Sequence, residues 1–267
     1  GYDPVARRWP DWIAALLAPR LLPRVVAPGT DIGPLGESLR RDLGLRGPVR
    51  IVAGTTDSTA AFLATGARQP GEAVTSLGST LVVKVLAERP VNAPEFGVYS
   101  HRLGDLWLAG GASNSGGAAL LRHFSPDRLQ ELSARLHPER PTGLDYYPLC
   151  GPGERFPRND PDLPPRLTPR PHDPVEFLQG MLEGIARIEA HGYRLLERLG
   201  APYPSSVRTA GGGAVNTAWT AIRARLLGVP MLASEHTDAA YGAAVLARAA
   251  VRGGPFHVSA SITQRPQ

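Results

Sequence analysis

The distribution of apolar residues predicts strands that alternate with helices. Short apolar runs, such as 49–53 and 206–210, end in glycine and polar residues and are followed by segments with helical spacing. Runs of this length favour buried strands, whereas apolar residues three or four positions apart favour amphipathic helices. The predicted fold class is therefore α/β.

The predicted elements cover most of the chain. Helices are predicted at 9–22, at 35–45, at 59–65, from 118 onward, at 175–199, at 216–227 and at 238–250, the last with Thr237 as its N-cap. Strands are predicted at 49–53, 73–76, 81–85, 106–109, 206–210 and 229–232, and the second and third of these form a hairpin. The proline-rich segment 136–174 is predicted to be a surface loop that is packed in part, because Tyr146, Tyr147 and Leu149 need cover.

Three glycine-bearing loops follow predicted strands. They are Leu77-Gly78-Ser79-Thr80 at the hairpin tip, the segment 110–117, and Gly211-Gly212-Gly213-Ala214-Val215-Asn216. Glycine lets the backbone approach a flat or anionic ligand, and a helix N-terminus after the loop favours negative charge. Each loop alone also has a structural explanation: a tight strand-to-helix turn at 211–216, close helix–strand packing at 110–117, and a plain hairpin turn at 77–80, where the turn is the favoured interpretation. The chain contains neither a dinucleotide-binding nor a P-loop pattern, so the recurrence of the loops is the informative feature.

Asp57 is the candidate catalytic residue. It follows the strand at 49–53 within Gly-Thr-Thr-Asp-Ser and precedes a predicted helix. A carboxylate in this place can accept a proton from a substrate hydroxyl as that oxygen attacks phosphorus. The alternative is that Asp57 is the N-cap of a helix that begins at Thr59, and the two roles are compatible. The histidines show no metal-ligand spacing, so no protein metal ligand is predicted.

Composition excludes several classes of protein. The formal net charge is +5, but the basic residues are dispersed among acids, and Lys84 is the only lysine. With no basic block and only 6% aromatic residues, we expect no nucleic-acid partner. No apolar run approaches the ~20 residues of a membrane span, so no membrane partner is expected. The single cysteine, Cys150, excludes a disulfide framework and favours the cytoplasm.

Five short motifs, in order, resemble one family. They are Gly-Thr-Thr-Asp-Ser at 54–58, Ser-Leu-Gly-Ser-Thr at 76–80, Gly-Gly-Ala-Ser-Asn at 110–114, Ala-Gly-Gly-Gly-Ala-Val-Asn at 210–216 and Thr-Asp-Ala-Ala-Tyr-Gly-Ala-Ala at 237–244. Together with Leu-Gly-Val-Pro at 227–230, they resemble the FGGY carbohydrate kinases over about residues 9–250. The branch of the family that the chain resembles most is the ribulose kinase and xylulose-kinase-like branch, on the basis of Thr-Thr-Asp-Ser at 55–58, Val-Tyr-Ser-His at 98–101 and Trp-Leu-Ala-Gly-Gly-Ala-Ser-Asn at 107–114.

The resemblance implies a role for each motif. Asp57 is the implied general base, and Ser58 lies beside it near the sugar. The implied ATP-binding residues are Gly78, Ser79 and Thr80 at the phosphates, Gly110 and Asn114 at the β-phosphate or ribose, and Gly212, Gly213 and Asn216 at the adenine. In the family, Mg²⁺ is held largely through phosphates and water, so ATP and Mg²⁺ are the expected cofactors.

The implied fold is actin-like, with two lobes and most of the first lobe missing. Residues 1–64 are expected to be the C-terminal part of the first, sugar-binding lobe, 65–237 the nucleotide-binding lobe, and 238–267 a returning helix and tail. The chain begins without methionine, within an amphipathic segment, and lacks the family's Asp-x-Gly-Thr phosphate loop. We therefore expect a piece of a longer kinase that is inactive in isolation.

The implied function is ATP-dependent phosphorylation of a sugar or polyol, with a ketopentose such as D-ribulose or D-xylulose favoured. Two alternatives remain open at this point: an actin-fold ATPase that performs conformational work, and a sugar-binding regulator without catalysis. Asp57 within the sugar-kinase order of motifs favours the kinase. The expected partners are a small sugar and, in a homodimer, a second copy of the chain.

Overall fold

The computed structural model describes residues 1–251 together with Phe256 and Val258. Two compact units are present. The first contains Gly1–Thr55 and the described residues from Leu246 to Phe256, and the second contains Thr56–Val245 and Val258. Asp57 therefore belongs to the second unit, and the assignment of 1–64 and 65–237 to two lobes stays a prediction.

The first unit contains short elements with little buried surface. They are α1 (Asp11–Leu16), β1 (Asp31–Pro34), α2 (Glu37–Asp42) and β2 (Arg50–Val52), and the two strands pair antiparallel. The helix predicted at 9–22 is shorter than expected, because the chain leaves the α-helix before Pro19 and forms a 3₁₀ turn at Pro19–Leu21. Neither α1 nor α2 contains a buried residue, and Trp12 and Leu16 are more than half exposed.

The second unit is built on a six-stranded mixed sheet. Its strands are β3 (Glu72–Leu77), β4 (Leu81–Ala87), β5 (Tyr99–Leu103), β6 (Leu106–Ser113), β7 (Ser206–Ala210) and β8 (Met231–Leu232). Its helices are α3 (Asp57–Ala64), α4 (Gly117–Leu121), α5 (Pro126–Ser133), α6 (Pro174–Arg198) and α7 (Thr217–Leu227). Helix α8 (Ala239–Val251) begins in this unit, and its residues from Leu246 onward belong to the first unit. The strand order is β5-β6-β4-β3-β7-β8. Strands β3, β7 and β8 are parallel neighbours, and the remaining pairs are antiparallel.

One face of this sheet carries the main core. Thr75 on β3 donates a hydrogen bond of 2.5 Å to Glu189 on α6, and Glu189 pairs with Arg223 on α7. Both members of that ion pair are fully buried. The opposite face carries α3, whose Ala60 carbonyl lies so close to Gly242 that a Cβ there would be 1.8 Å away. Glycine at this position therefore allows α8 to pack directly on α3.

Several predicted elements are confirmed and others need correction. The hairpin, the long helix and the strand before Gly211 are present, and the segment 136–173 contains no helix or strand while Tyr146 and Tyr147 are buried. Strand β6 extends to Ser113, so Gly110 lies in a strand and not in a loop. Helix α8 begins at Ala239, which places Asp238 and not Thr237 next to its first residue. No helix of the described residues is both long and apolar enough to cross a bilayer.

Candidate functional site

Asp57 is the first residue of α3 and does not cap it. Helix α3 begins at Asp57 rather than at Thr59, and its N-cap is Thr56, which makes no side-chain capping bond. Within the part of the chain that the structure describes, the Oδ1 atom of Asp57 accepts one hydrogen bond, from the N–H of the next residue, Ser58, at 2.6 Å. The N-cap interpretation is therefore wrong, because the N–H groups of Thr59 and Ala60, which an N-cap at Asp57 would bind, donate to the carbonyl of Thr56 instead. Both Asp57 and Ser58 are exposed, so the carboxylate is accessible to a substrate.

Lys84 on β4 lies next to this helix start. Its side chain is buried, with 8% of the residue exposed, and its Nζ donates a hydrogen bond of 3.1 Å to Oγ of Ser58. Burial lowers the pKa of Lys84 to about 8, and the negative charge of Asp57 offsets part of that shift. No role for Lys84 is predicted from the motifs, although a single charged residue within the apolar run Leu81–Leu86 is a usable signal.

A small recess opens beside the Lys84 amine. Its volume is about 100 Å³, and we call it the Lys84 recess. Its lining is apolar except for two hydroxyls and the amine: Ser58, Ala61, Phe62, Val74, Ser76, Val82, Lys84 and Ala210. The recess therefore offers hydrogen-bonding groups at one end of an apolar wall, a combination that can orient a small polar ligand.

The hairpin tip contacts the start of α4. The carbonyl of Gly78 accepts the N–H of Gly117 at 2.9 Å, and the carbonyl of Ser79 accepts the N–H of Ala118 at 3.1 Å. A Cβ at Gly117 would lie 2.7 Å from the Gly78 carbonyl, so this contact requires glycine. The tip is thereby fixed in position, and Ser79 remains exposed.

The glycine turn after β7 packs against the same hairpin. Gly211 has a φ of 83°, and a Cβ there would lie 2.7 Å from the carbonyl of Leu77. A Cβ at Gly213 would lie 2.7 Å from both Leu77 and Trp219, whereas a Cβ at Gly212 would meet nothing within 4 Å. The glycine turn at 211–216 and the start of α4 therefore both pack against the hairpin tip at 77–80. Gly212 faces open space.

The remaining predicted ATP-binding residues already have structural contacts. Asn114 donates its amide N–H to Gly153 at 3.0 Å. Asn216 caps α7 by accepting the N–H of Trp219 at 2.9 Å, and it also donates to Ser133. Gly110 pairs with Lys84 across the two strands, and a Cβ there would lie 2.3 Å from the Val83 carbonyl. The nucleotide contacts predicted for Gly110, Asn114 and Asn216 stay predictions.

The residues described here do not form a protein-built metal cage. Residues 1–251, Phe256 and Val258 contain no group of three histidine, cysteine, aspartate or glutamate side chains that could hold a metal ion. Mg²⁺ bound with a nucleotide commonly keeps several waters and takes most of its other ligands from phosphates.

Comparisons with known proteins agree on one family. The sequence profile of the FGGY family of carbohydrate kinases, C-terminal domain, matches residues 73–251, more than half of the chain. The chain is 24% identical over 238 residues to a xylulose kinase of Staphylococcus epidermidis, which covers 85% of this chain and 48% of that protein. It is 28% identical over 230 residues to an L-fuculokinase of Salmonella typhi, with 80% and 46% covered.

A solved structure shows the same likeness in three dimensions. The xyloylose (xylulose) kinase from Brucella ovis superimposes with a TM-score of 0.82 at 28% identity, over 93% of this chain and 54% of that one. The chain thus spans about half the length of the curated relatives it matches.

Proposed function

Because the chain belongs to the FGGY family of carbohydrate kinases, we propose that its protein transfers the γ-phosphoryl group of ATP to a hydroxyl of a sugar or polyol. The resemblance found in the sequence is thereby confirmed, and so is the actin-like α/β fold, since the chain superimposes on a kinase of this kind over 93% of its length. The observation that carries the proposal is Asp57, an exposed carboxylate at a helix start that is not used as a cap.

In the proposed reaction, Asp57 is the general base. Its carboxylate takes the proton from the sugar hydroxyl while that oxygen forms a bond to the γ-phosphorus and the bond from phosphorus to the bridging oxygen of ADP breaks. Ser58 lies beside it on the sugar side. The hairpin tip with Gly78, Ser79 and Thr80 binds phosphate oxygens through backbone N–H groups and hydroxyls. Mg²⁺ bound with ATP neutralises the phosphate charge.

We propose a ketopentose such as D-ribulose or D-xylulose as the sugar. The support is the name of a relative, the xylulose kinase of Staphylococcus epidermidis, and the sugar named for the Salmonella typhi relative, L-fuculose, is also a ketose. A panel of ketopentoses, aldoses and polyols with labelled ATP tests this choice, and peptide-stimulated ATP hydrolysis without sugar phosphorylation would favour the ATPase alternative instead. We also propose that the protein is cytoplasmic, where ATP is available. We propose in addition that it forms a homodimer.

We expect the 267-residue chain alone to show no sugar-stimulated ADP release. The chain spans about half the length of these curated relatives. Phosphoryl transfer needs groups positioned on both sides of the γ-phosphate. A coupled ADP-release assay with ribulose, xylulose and glycerol measures this, and the protein expressed from the complete reading frame is the comparison. Robust turnover by the 267 residues alone would contradict the expectation.

Gly212→Val is expected to weaken nucleotide binding without unfolding the protein. A side chain at Gly212 meets no protein atom within 4 Å, so it projects into the space assigned to the adenine. Gly213→Val is the matched contrast, because its side chain clashes with Leu77 and Trp219 and should lower the melting temperature as well. Titration calorimetry with ATP gives the affinities. Gly36→Val, at an equally open glycine in the first unit, is the control, and unchanged affinity in a folded Gly212→Val variant removes this turn from the site.

A further inference from the structure

Lys84 occupies a buried position at which an apolar side chain would have a smaller desolvation penalty. Residues 81–87 of β4 are otherwise apolar and all but one of them are buried. Burying an ammonium group costs several kcal/mol unless hydrogen bonds and an opposite charge compensate. Among the described residues, the one hydrogen bond that Nζ makes is to Ser58, and the anion that offsets the cost of its charge is Asp57. Both compensating groups belong to the residues assigned to the sugar.

The neighbouring strand is shaped to accept this side chain. Gly110 on β6 pairs with Lys84, and a Cβ at position 110 would lie 3.0 Å from Cγ of Lys84. The tighter constraint at position 110 is the carbonyl oxygen of Val83, from which a Cβ would lie 2.3 Å away. Glycine therefore allows the two strands to approach, and it also leaves room for the aliphatic stem of Lys84.

We propose that Lys84 is a positioning residue for phosphoryl transfer: through its hydrogen bond to Ser58 and its charge beside Asp57, it holds the first turn of α3 in the orientation that presents both side chains to the sugar. The proposal rests on the proposed function, because it concerns the same site. A lysine ammonium has three donor positions, and the bond to Ser58 uses one of them.

The charge of Lys84 should be visible in the pH dependence of the reaction. Burial lowers the pKa of Lys84 to about 8, so the ammonium form is lost as the pH rises through that value. Other charged or titratable groups on this side of the sheet are Asp57 on α3, Tyr99 and His101 on β5, and Arg208 on β7, which is paired with Glu72 at 2.7 Å. The pKa of His101 is lowered by burial and by the Lys84 charge, so it is neutral in the same range.

Lys84→Met is the decisive variant. Methionine fills the buried stem position, and Asp57 is exposed to water, so no buried charge is left unpaired and the variant should remain folded. In the protein that contains the whole catalytic site, kcat should fall by a factor on the order of 10 to 100, while KM for ATP stays unchanged. The decline of kcat above about pH 8 in the parent protein should be absent in the variant. Leu86→Met, two residues along the same face of β4, is the control and should behave like the parent.

A double variant of Ser58 and Lys84 distinguishes a positioning role of Lys84 from a role in core packing alone. If Lys84 acts through Ser58, then Ser58→Ala combined with Lys84→Met should reduce kcat no further than the stronger single variant. Independently of activity, ¹³C-labelled lysine gives one side-chain signal from these 267 residues, because Lys84 is the only lysine. Its titration by NMR should move to lower pH in Asp57→Asn, since the carboxylate is the group that raises the pKa of Lys84.

The outcomes are distinguishable. A parent protein that phosphorylates no sugar overturns the proposed function, and the role of Lys84 falls with it. An active parent whose Lys84→Met variant keeps kcat within about threefold and keeps the alkaline decline overturns the positioning role alone. A variant that raises KM for the sugar at unchanged kcat also overturns it, in favour of a direct substrate contact. An unchanged titration of Lys84 in Asp57→Asn overturns the electrostatic link between the two residues.

Discussion

Asp57→Asn should reduce sugar phosphorylation by a factor on the order of 10² or more, in the protein expressed from its complete reading frame. The amide cannot take the proton of the sugar hydroxyl, but it has the same size as the carboxylate and keeps α3 intact. Because Asp57 does not cap the helix, no capping bond is lost with the substitution. The affinity for ATP should be nearly unchanged, since the glycine turn and the hairpin tip are untouched. Initial rates with labelled ATP and a ketopentose, together with calorimetric ATP titration, measure both effects.

Asp127→Asn is the matched control for Asp57→Asn. Both residues are exposed acids in the first turn of an eight-residue helix, so each loses a similar interaction with the helix dipole, about 0.3–1 kcal/mol. The control should keep full activity. If Asp57→Asn retains turnover within a few-fold of the parent, or if both variants lose activity equally, Asp57 is not the base.

Local patterns were sufficient for the parts of the fold that depend on neighbours in sequence. The hairpin at 72–86, the long helix and the strand before Gly211 were predicted because their apolar period and turn residues lie within one element. Asp57 was found for the same reason, since its place at a strand end and a helix start is visible in a few residues. The predicted N-cap role of Asp57 is wrong because α3 begins at Asp57, two residues before the predicted start at Thr59. A sequence pattern does not fix a helix end more closely than one or two residues.

Other features were set by contacts between distant segments. Because glycine is the common turn residue, the sequence predicts a loop at Gly110 and Gly111, but both lie inside β6. A Cβ at Gly111 would lie 2.3 Å from the ring of Phe156, so the small residues are required by packing against another segment. Strand β5 was not predicted at all, because Ser100 and Arg102 interrupt its apolar pattern. Such requirements have no local sequence signal.

In the candidate site, too, some features follow from neighbours in sequence and others from contacts between distant segments. Glycine loops are recognisable in a sequence, but their meeting at the hairpin depends on the sheet order that places β3 between β4 and β7. The side chains of Asn114 and Asn216 looked available for a nucleotide, yet each has protein partners that lie elsewhere in the chain. Lys84 is the converse case, because its importance follows from burial and from Ser58, 26 residues away.

Arg223→Met should lower the free energy of unfolding by about 3–5 kcal/mol, the cost of leaving a buried charge without its partner. Arg223 and Glu189 are both 0% exposed and are joined by two bonds of 2.7 Å, from Nε to Oε2 and from Nη2 to Oε1. Arg223 also donates to Thr209 at 2.6 Å, so it ties α7 to α6 and to β7 at the same time. Without the guanidinium, the carboxylate of Glu189 keeps its bond from Thr75 but has lost its countercharge.

Two further variants separate this charge effect from a general loss of packing. Arg223→Met combined with Glu189→Met removes both charges, and its free energy of unfolding should recover most of the loss, because well-packed apolar side chains can replace a buried pair. Arg128→Met breaks an ion pair with Glu131 on the surface, at 2.5 Å, and should cost no more than about 1 kcal/mol. Urea unfolding of the three variants, compared at one pH and salt concentration, gives these free energies. If the double variant is as unstable as Arg223→Met, the loss comes from the hydrogen bond between Arg223 and Thr209 on β7 and from the packing of the guanidinium, and the buried charge of Glu189 is not its cause.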